Sequence, residues 1–195
     1  MALGKQAKTL SRGQVDGLLG YIAKTRYPLR NRVILLLSVK AGFRAKEIAF
    51  LTWEMVTDAS GEIGGAIHLR DIASKGRSGR VIPLNRDLKR ALGELQASKK
   101  RGRLSPFVVT TERSVMTSPH AIVVTFAKWF RALGYVGCSS HSGRRGFITN
   151  AARKISLVGG SLRDIQMLAG HSALSTTQRY IEADVMAQRK IVELV

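Results

Sequence analysis

The stretch Leu168–Asp184, "LAGHSALSTTQRYIEAD", decides how the rest of the chain is read. Gly170 is placed to stop a helix running through "SLRDIQMLAG", because glycine adopts the left-handed conformation that ends helices without steric cost. His171 follows the stop, and "STTQRYI" reads as a new helical turn carrying Tyr180 nine residues after the histidine. Taken alone, a tyrosine in an otherwise polar helical turn is half-buried packing.

Three more stretches carry residues of the same kind. "HSGRRGFITN", His141–Asn150, spaces His141 and Arg144 three apart, so a helix puts them on one face. Alone, they are a capping histidine and a surface arginine. In "AGFRAKEIAFL", Arg44 stands between a helix-ending Gly42 and a new helix. A guanidinium at such a bend can be aimed, and free backbone N–H groups there also point at anions. Glu47, one turn further, either orients Arg44 or forms an ordinary i, i+3 surface pair. Finally, "AIHLRD" and "GRVIPL" are short β-prone runs joined by "IASKGRSG", a hairpin with Lys75 at its tip, where a lysine is ordinarily just solvated.

The remaining pattern is helical. Ser11 and Gln14 have capping-box spacing, and Val15, Leu18, Leu19 and Ile22 follow at helical intervals. Pro28 suits the first turn of a helix through "LRNRVILLLSVKA", whose apolar density predicts burial on most sides. "NRDLKRALGELQASKK" is capped by Asn85, and "SPHAIVVTFAKWFRALG" has Ser118 as cap and Gly134 as stop. The pattern contains no repeat or low-complexity linker, so residues 1–195 are expected to form a single, mainly α domain with a small antiparallel sheet.

Composition narrows the partner. The chain has 32 Lys and Arg against 13 Asp and Glu, a net charge of +19 interleaved with 45% hydrophobic residues. This is a folded basic protein, and a polyanion is the expected partner. Nucleic acid is favoured over a membrane, since no apolar run reaches spanning length. "MALGKQAKTLSRG" has no apolar signal-peptide core, so a cytoplasmic location is expected. Cys138 lies near His141, but no second ligand stands at zinc spacing, and a packed thiol is the reading.

Together, "GFRAKEI", "SKGRSGRVIPL", the His-x-x-Arg of "HSGRRGFITN" and "LAGHSALSTTQRY" resemble the catalytic set of the tyrosine recombinases, the integrase family of site-specific DNA recombinases. The last motif is the most specific, matching in composition and in the histidine-to-tyrosine interval. The resemblance runs from about Thr9 to Tyr180. It implies that Arg44, Lys75, His141, Arg144 and His171 activate a phosphodiester in double-stranded DNA and that Tyr180 attacks it. Two departures lie beside the motif positions: Arg145 stands where many members have a second histidine, and Ser142 and Gly143 fill the middle of the His-to-Arg motif, where Gly143 is expected to weaken the helix start.

The chemistry is consistent with that assignment. Two arginines can hold the non-bridging oxygens as negative charge builds on them. A tyrosine hydroxyl, ordinarily with a pKa of about 10, needs help to lose its proton. His141 is the candidate for that exchange, His171 for a further bond to phosphate, and Lys75 for protonating the leaving 5′-oxygen. The product is a 3′-phosphotyrosyl link, so no metal, ATP or other cofactor is expected. The resemblance further implies a prokaryotic chain, self-assembly to a tetramer on paired sites, and accessory bending or directionality proteins. Arg44 comes too early to leave room for the N-terminal core-binding domain of related integrases, so a lone catalytic domain like the fimbrial invertases is expected. Residues 184–195, with Val185, Ile191, Val192 and Leu194 as an apolar stripe, are expected to fold back or to dock on a neighbouring subunit. Type IB topoisomerase-like relaxation and a non-cleaving DNA-binding regulator are the alternatives.

Overall fold

The computed structural model describes residues 7–71, 79–99, 105–112, 114–180 and 192–193. Lys75 and all of the 184–195 segment except Val192 and Glu193 lie outside the described residues. The elements are α1 (Arg12–Ala23), α2 (Pro28–Ala41), α3 (Ala45–Ala49), β1 (Ala66–Leu69), β2 (Arg80–Pro83), α4 (Arg86–Lys99), α5 (Pro119–Ala132), α6 (Ser142–Lys154), α7 (Leu162–Ala169) and α8 (Leu174–Gln178). The fold is mainly α with a two-stranded antiparallel sheet.

Local chemistry sets most boundaries. Ser11 and Gln14 form the reciprocal capping box that starts α1. Pro28 sits in the first turn of α2, and Gly42 ends it in the left-handed conformation at φ 68°. A Cβ at Gly42 would lie 2.5 Å from the Phe147 ring, so packing also excludes a side chain there. Ser118 accepts from the Ala121 N–H to start α5, and Asn85 accepts from the Asp87 N–H at the head of α4. In the sheet, Ala66 pairs with Pro83 and Leu69 with Arg80, with Ile67 and Ile82 facing the core.

The main core is built around α2, where Val33, Ile34, Leu35, Leu36 and Leu37 are consecutively buried. A helix can bury neighbouring residues on every side only when others surround it, and α1, α4 and α6 pack against α2. Phe126, Trp129 and Phe130 of α5 close the core, and Cys138 packs at its edge. Gly143 acts differently from the expectation. It lies inside α6, and a Cβ on it would come within 2.3 Å of Ser38 Oγ on α2. The cost in helix propensity is offset by the close approach of α2 and α6 that only glycine permits. A smaller cluster of Ile148, Ile165 and Ala169 packs α6 against α7, and Tyr180 rests against it.

Candidate active site

The site forms where the C-terminal ends of α2 and α7 meet the N-terminal turn of α6. Arg44 is the residue before α3, and its backbone N–H donates to Glu47 Oε2 at 2.8 Å. Its Nη1 donates to Glu47 Oε1 at 3.0 Å. The choice left open for Glu47 is thereby settled, because this carboxylate has 0% exposure and is no surface ion pair. Its second partner is Arg80 of β2, which grips both carboxylate oxygens at 2.9 and 3.1 Å. Burial pushes the Glu47 pKa up, but the Arg80 hydrogen bond and charge, with Arg44 behind them, hold it below the usual range.

Arg144 on α6 is 3% exposed. It donates from Nη1 to the Gly42 carbonyl at 2.6 Å and from Nη2 to the Ala169 carbonyl at 2.7 Å. Arg80 Nε donates to the neighbouring Leu168 carbonyl at 2.8 Å. Two guanidiniums therefore satisfy carbonyls left over at the end of α7, where the helix dipole also favours positive charge. Gly170 ends that helix at φ 62°, and a Cβ on it would meet Arg80 Nη1 at 2.9 Å. Burial and then the charge of Arg44 lower the Arg144 pKa to about 10, which leaves the group fully charged at neutral pH.

His171 is held on both sides. Arg144 Nη2 lies 2.9 Å from its Nε2, and Thr177 Oγ1 lies 2.9 Å from its Nδ1. A guanidinium can only donate, so Nε2 accepts and Nδ1–H donates to Thr177, which defines a neutral ring. Burial, then Arg144, Arg44 and Arg80, lower its pKa to about 4, in agreement with that tautomer. The Tyr180 ring stacks on this imidazole at 5.5 Å. His141 is exposed at the N-terminus of α6, and loss of hydration, Arg144 and Arg44 hold its pKa below the ordinary value. Tyr180, His141 and Arg144 line one cleft of about 350 Å³.

Five of the six residues singled out in the sequence thus converge, and the sixth, Lys75, lies outside the described residues, although the strands that flank it are in place. Sequence reading missed Arg80 and Thr177. Arg80 had a signal in the alternation of β2, which points it to the same side as Ile82. Among the described residues no group of three or more His, Cys, Asp or Glu side chains is placed to hold a metal ion, and no helix is long and apolar enough to cross a membrane.

Such a cluster of guanidiniums and imidazoles around a tyrosine has the charge and the hydrogen-bond donors to hold an anion, and comparison with known proteins gives its family. The model of the phage integrase family matches residues 8–186, and the chain belongs to that family. It is 27% identical over 195 residues to the tyrosine recombinase XerC of Shewanella amazonensis, covering 97% of this chain and 62% of the relative. It is 30% identical over 191 residues to XerD of Pseudomonas aeruginosa, covering 91% of this chain and 58% of the relative. The chain therefore spans about three fifths of these relatives. Among solved structures, the integrase of transposon Tn1549, in complex with a circular-intermediate DNA, superposes with a TM-score of 0.75 at 17% identity, covering 97% of this chain and 66% of that one. The XerA recombinase superposes at 0.72 with 21% identity, covering 95% and 64%. These structures share the fold.

Proposed function

We propose that this protein is a site-specific DNA recombinase that cuts and rejoins DNA through a 3′-phosphotyrosyl intermediate. The observation that carries the reading is the buried Arg144, fixed by the Gly42 and Ala169 carbonyls and by His171 beside Tyr180 in one cleft. Its Nε–H makes none of those contacts and is available to an anion. Arg44, Arg80 and Arg144 around the single carboxylate of Glu47 leave a net charge of +2. A phosphodiester carries one negative charge, and attack by a tyrosine oxygen adds a second on the phosphoryl oxygens, so the site is electrostatically matched to the transition state more than to the ground state.

The reaction runs as follows. The Tyr180 oxygen bonds to phosphorus while its proton passes to His141, whose lowered pKa leaves a neutral ring able to accept it. The bond from phosphorus to the 5′-oxygen breaks, and Lys75 supplies the proton that oxygen needs. Attack by the 5′-hydroxyl of a partner strand reverses each transfer and closes the new joint. Both steps conserve phosphodiester bond energy, so neither ATP nor a metal enters the balance. His171 gives orientation through the neutral ring that Arg144 and Thr177 fix, and it becomes a donor to phosphate when an anion raises its pKa. Double-stranded DNA is the substrate, and four subunits act on paired sites with accessory proteins. The chain is a catalytic domain working in the cytoplasm.

The test is covalent trapping on labelled DNA from the flanks of the gene, read on a denaturing gel. Wild-type protein forms an adduct, and Tyr180→Phe forms none while retaining most of its DNA affinity. An adduct that persists in Tyr180→Phe removes this tyrosine from the reaction. A Lys75→Ala variant cleaves a 5′-bridging phosphorothioate, whose leaving group needs no proton, far better than normal DNA; equal impairment on both removes Lys75 from the role of acid.

A further inference from the structure

Two arginines share the Glu47 carboxylate in an ordered way. Its Oε1 accepts from Arg44 Nη1 at 3.0 Å and from Arg80 Nη1 at 2.9 Å. Its Oε2 accepts from the Arg44 backbone N–H at 2.8 Å and from Arg80 Nη2 at 3.1 Å. Each oxygen thus carries one bond from either residue. The two side chains differ in access, with Arg44 24% exposed and Arg80 6%. Arg44 can reach a ligand, and Arg80 is enclosed among protein groups.

Arg80 is fastened from several sides. It opens β2 in register with Leu69, and its Nε donates to the Leu168 carbonyl at the end of α7 at 2.8 Å. Its Cζ lies over the Phe43 ring, 5.6 Å from the centroid. Gly170 leaves the space for it, since a Cβ there would come 2.9 Å from Arg80 Nη1. A planar fork held in this way sets the plane of the carboxylate it grips, which the point charge of a lysine does not do. Arg80 also governs the charge. Burial pushes the Glu47 pKa up, and the Arg80 hydrogen bond and charge do most to bring it down, ahead of the bond from the Arg44 backbone. With Glu47 neutralised by Arg80, the charge of Arg44 is left for an anion instead of being spent on the carboxylate.

We propose that Arg80 is a positioning residue for the reaction: acting through Glu47, it aims the Arg44 guanidinium at the attacked phosphate and keeps its positive charge available there. The inference rests on the proposed reading of the site as one that binds and cuts a phosphodiester. Without Arg80, the buried carboxylate draws the Arg44 guanidinium onto itself, and the phosphate loses one of its two arginines. Arg80 itself does not touch the DNA.

The test compares DNA affinity, single-turnover cleavage and melting temperature on the labelled DNA of the trapping assay, with rates measured below each protein's unfolding transition. Arg80→Gln binds DNA within about twofold of wild type and cleaves about a hundredfold more slowly, as expected for a displaced catalytic group. Arg80→Lys restores the charge but not the fork, and is slowed about tenfold. Should Arg80→Gln not fold, Arg80→Lys carries the comparison. The decisive protein is the double variant Glu47→Gln with Arg80→Gln. It removes the lone buried carboxylate that captures Arg44, so it cleaves about tenfold faster than Arg80→Gln alone, two damaging changes partly cancelling. A merely structural Arg80 lowers the melting temperature and spares the rate, which overturns the proposal. No recovery in the double variant shows that Arg80 does not act through Glu47, and a tenfold loss of DNA affinity in Arg80→Gln shows a direct contact instead; either result overturns it too. If the wild type forms no adduct, the reading of the whole site fails, and this inference falls with it.

Discussion

Helix α2 and the residues at its C-terminus rest on the main core, with Leu35, Leu37, Phe43 and Ile48 all at 0% exposure, whereas α7 and Tyr180 rest on the smaller cluster of Ile148, Ile165 and Ala169. The first region supplies Arg44 and the carbonyl that holds Arg144. The second supplies the tyrosine. On the second side Met167 is 63% exposed and Leu157 80%, so much of its apolar surface faces away from any core. The contrast separates two requirements that the proposed phosphoryl transfer would place on the site. A charge-holding group works best when it is rigid and prepaid in position, because reorganising dipoles during reaction costs free energy. A nucleophile that must approach, attach and later leave is compatible with a lightly packed element whose local opening costs less than global unfolding.

Removing the carboxylate that ties the rigid half together has the largest expected effect. Glu47→Ala leaves Arg80, 6% exposed, without its counter-charge and Arg44 without its anchor, which costs about 3–5 kcal/mol by urea denaturation. A loss under about 1 kcal/mol would show that Glu47 is not the organiser of that half.

Acid is the next probe, and it acts on the contact between the two halves. The folded His171 pKa of about 4 lies below the ordinary 6.5, so the unfolded chain binds more protons between these values. Stability is then fully present above pH 6.5 and falls as pH drops toward about 4, by at most about 3 kcal/mol from this group. His171→Asn should flatten the pH dependence of denaturation across that window. An unchanged slope would mean that the ring is not held neutral.

Gly143→Ala should cost about 1–3 kcal/mol, because its Cβ would press on Ser38 Oγ at 2.3 Å and on Val39 Cγ1 at 3.0 Å. Ser38→Ala is close to neutral by itself, since its hydroxyl is buried and makes no hydrogen bond among the described residues. The Ser38 hydroxyl being the nearest clash, the double variant should recover part of the loss, and additivity would place the strain elsewhere.

The smallest effect is a difference in local opening. Backbone amides of α7 should exchange with solvent at free energies at least about 1 kcal/mol below those of α2. Equal protection would mean that the two halves form one cooperative unit.

Much of this was legible in the chain. The capping box at Ser11, the stops at Gly42 and Gly170, Pro28 in a first turn, the buried α2 and the hairpin all follow from contacts within a few residues, and each is found. Arg44, His141, Arg144, His171 and Tyr180 were singled out by the resemblance to the tyrosine recombinases, since each motif taken alone reads as ordinary structure. Arg80 was not, because its partner Glu47 lies 33 residues away and no local pattern announces the pair. Gly143 was read by helix propensity alone, which is a property of one helix and is silent about the neighbour that presses on it.

The amino-acid sequence by itself determined where helices and strands start and stop, which residue types are available to phosphate, and that a net charge of +19 calls for a polyanion. These depend on periodicity, caps and composition, which act over one or two helical turns. Only the tertiary structure decided that Glu47 is buried between Arg44 and Arg80, that Arg144 closes the end of α7 while making His171 a neutral ring, and that Arg145 meets a carbonyl 138 residues away. The physical reason is that the charge state and direction of a side chain are set by its desolvation and its partners, and here those partners are brought together only when the α2, α6 and α7 ends meet.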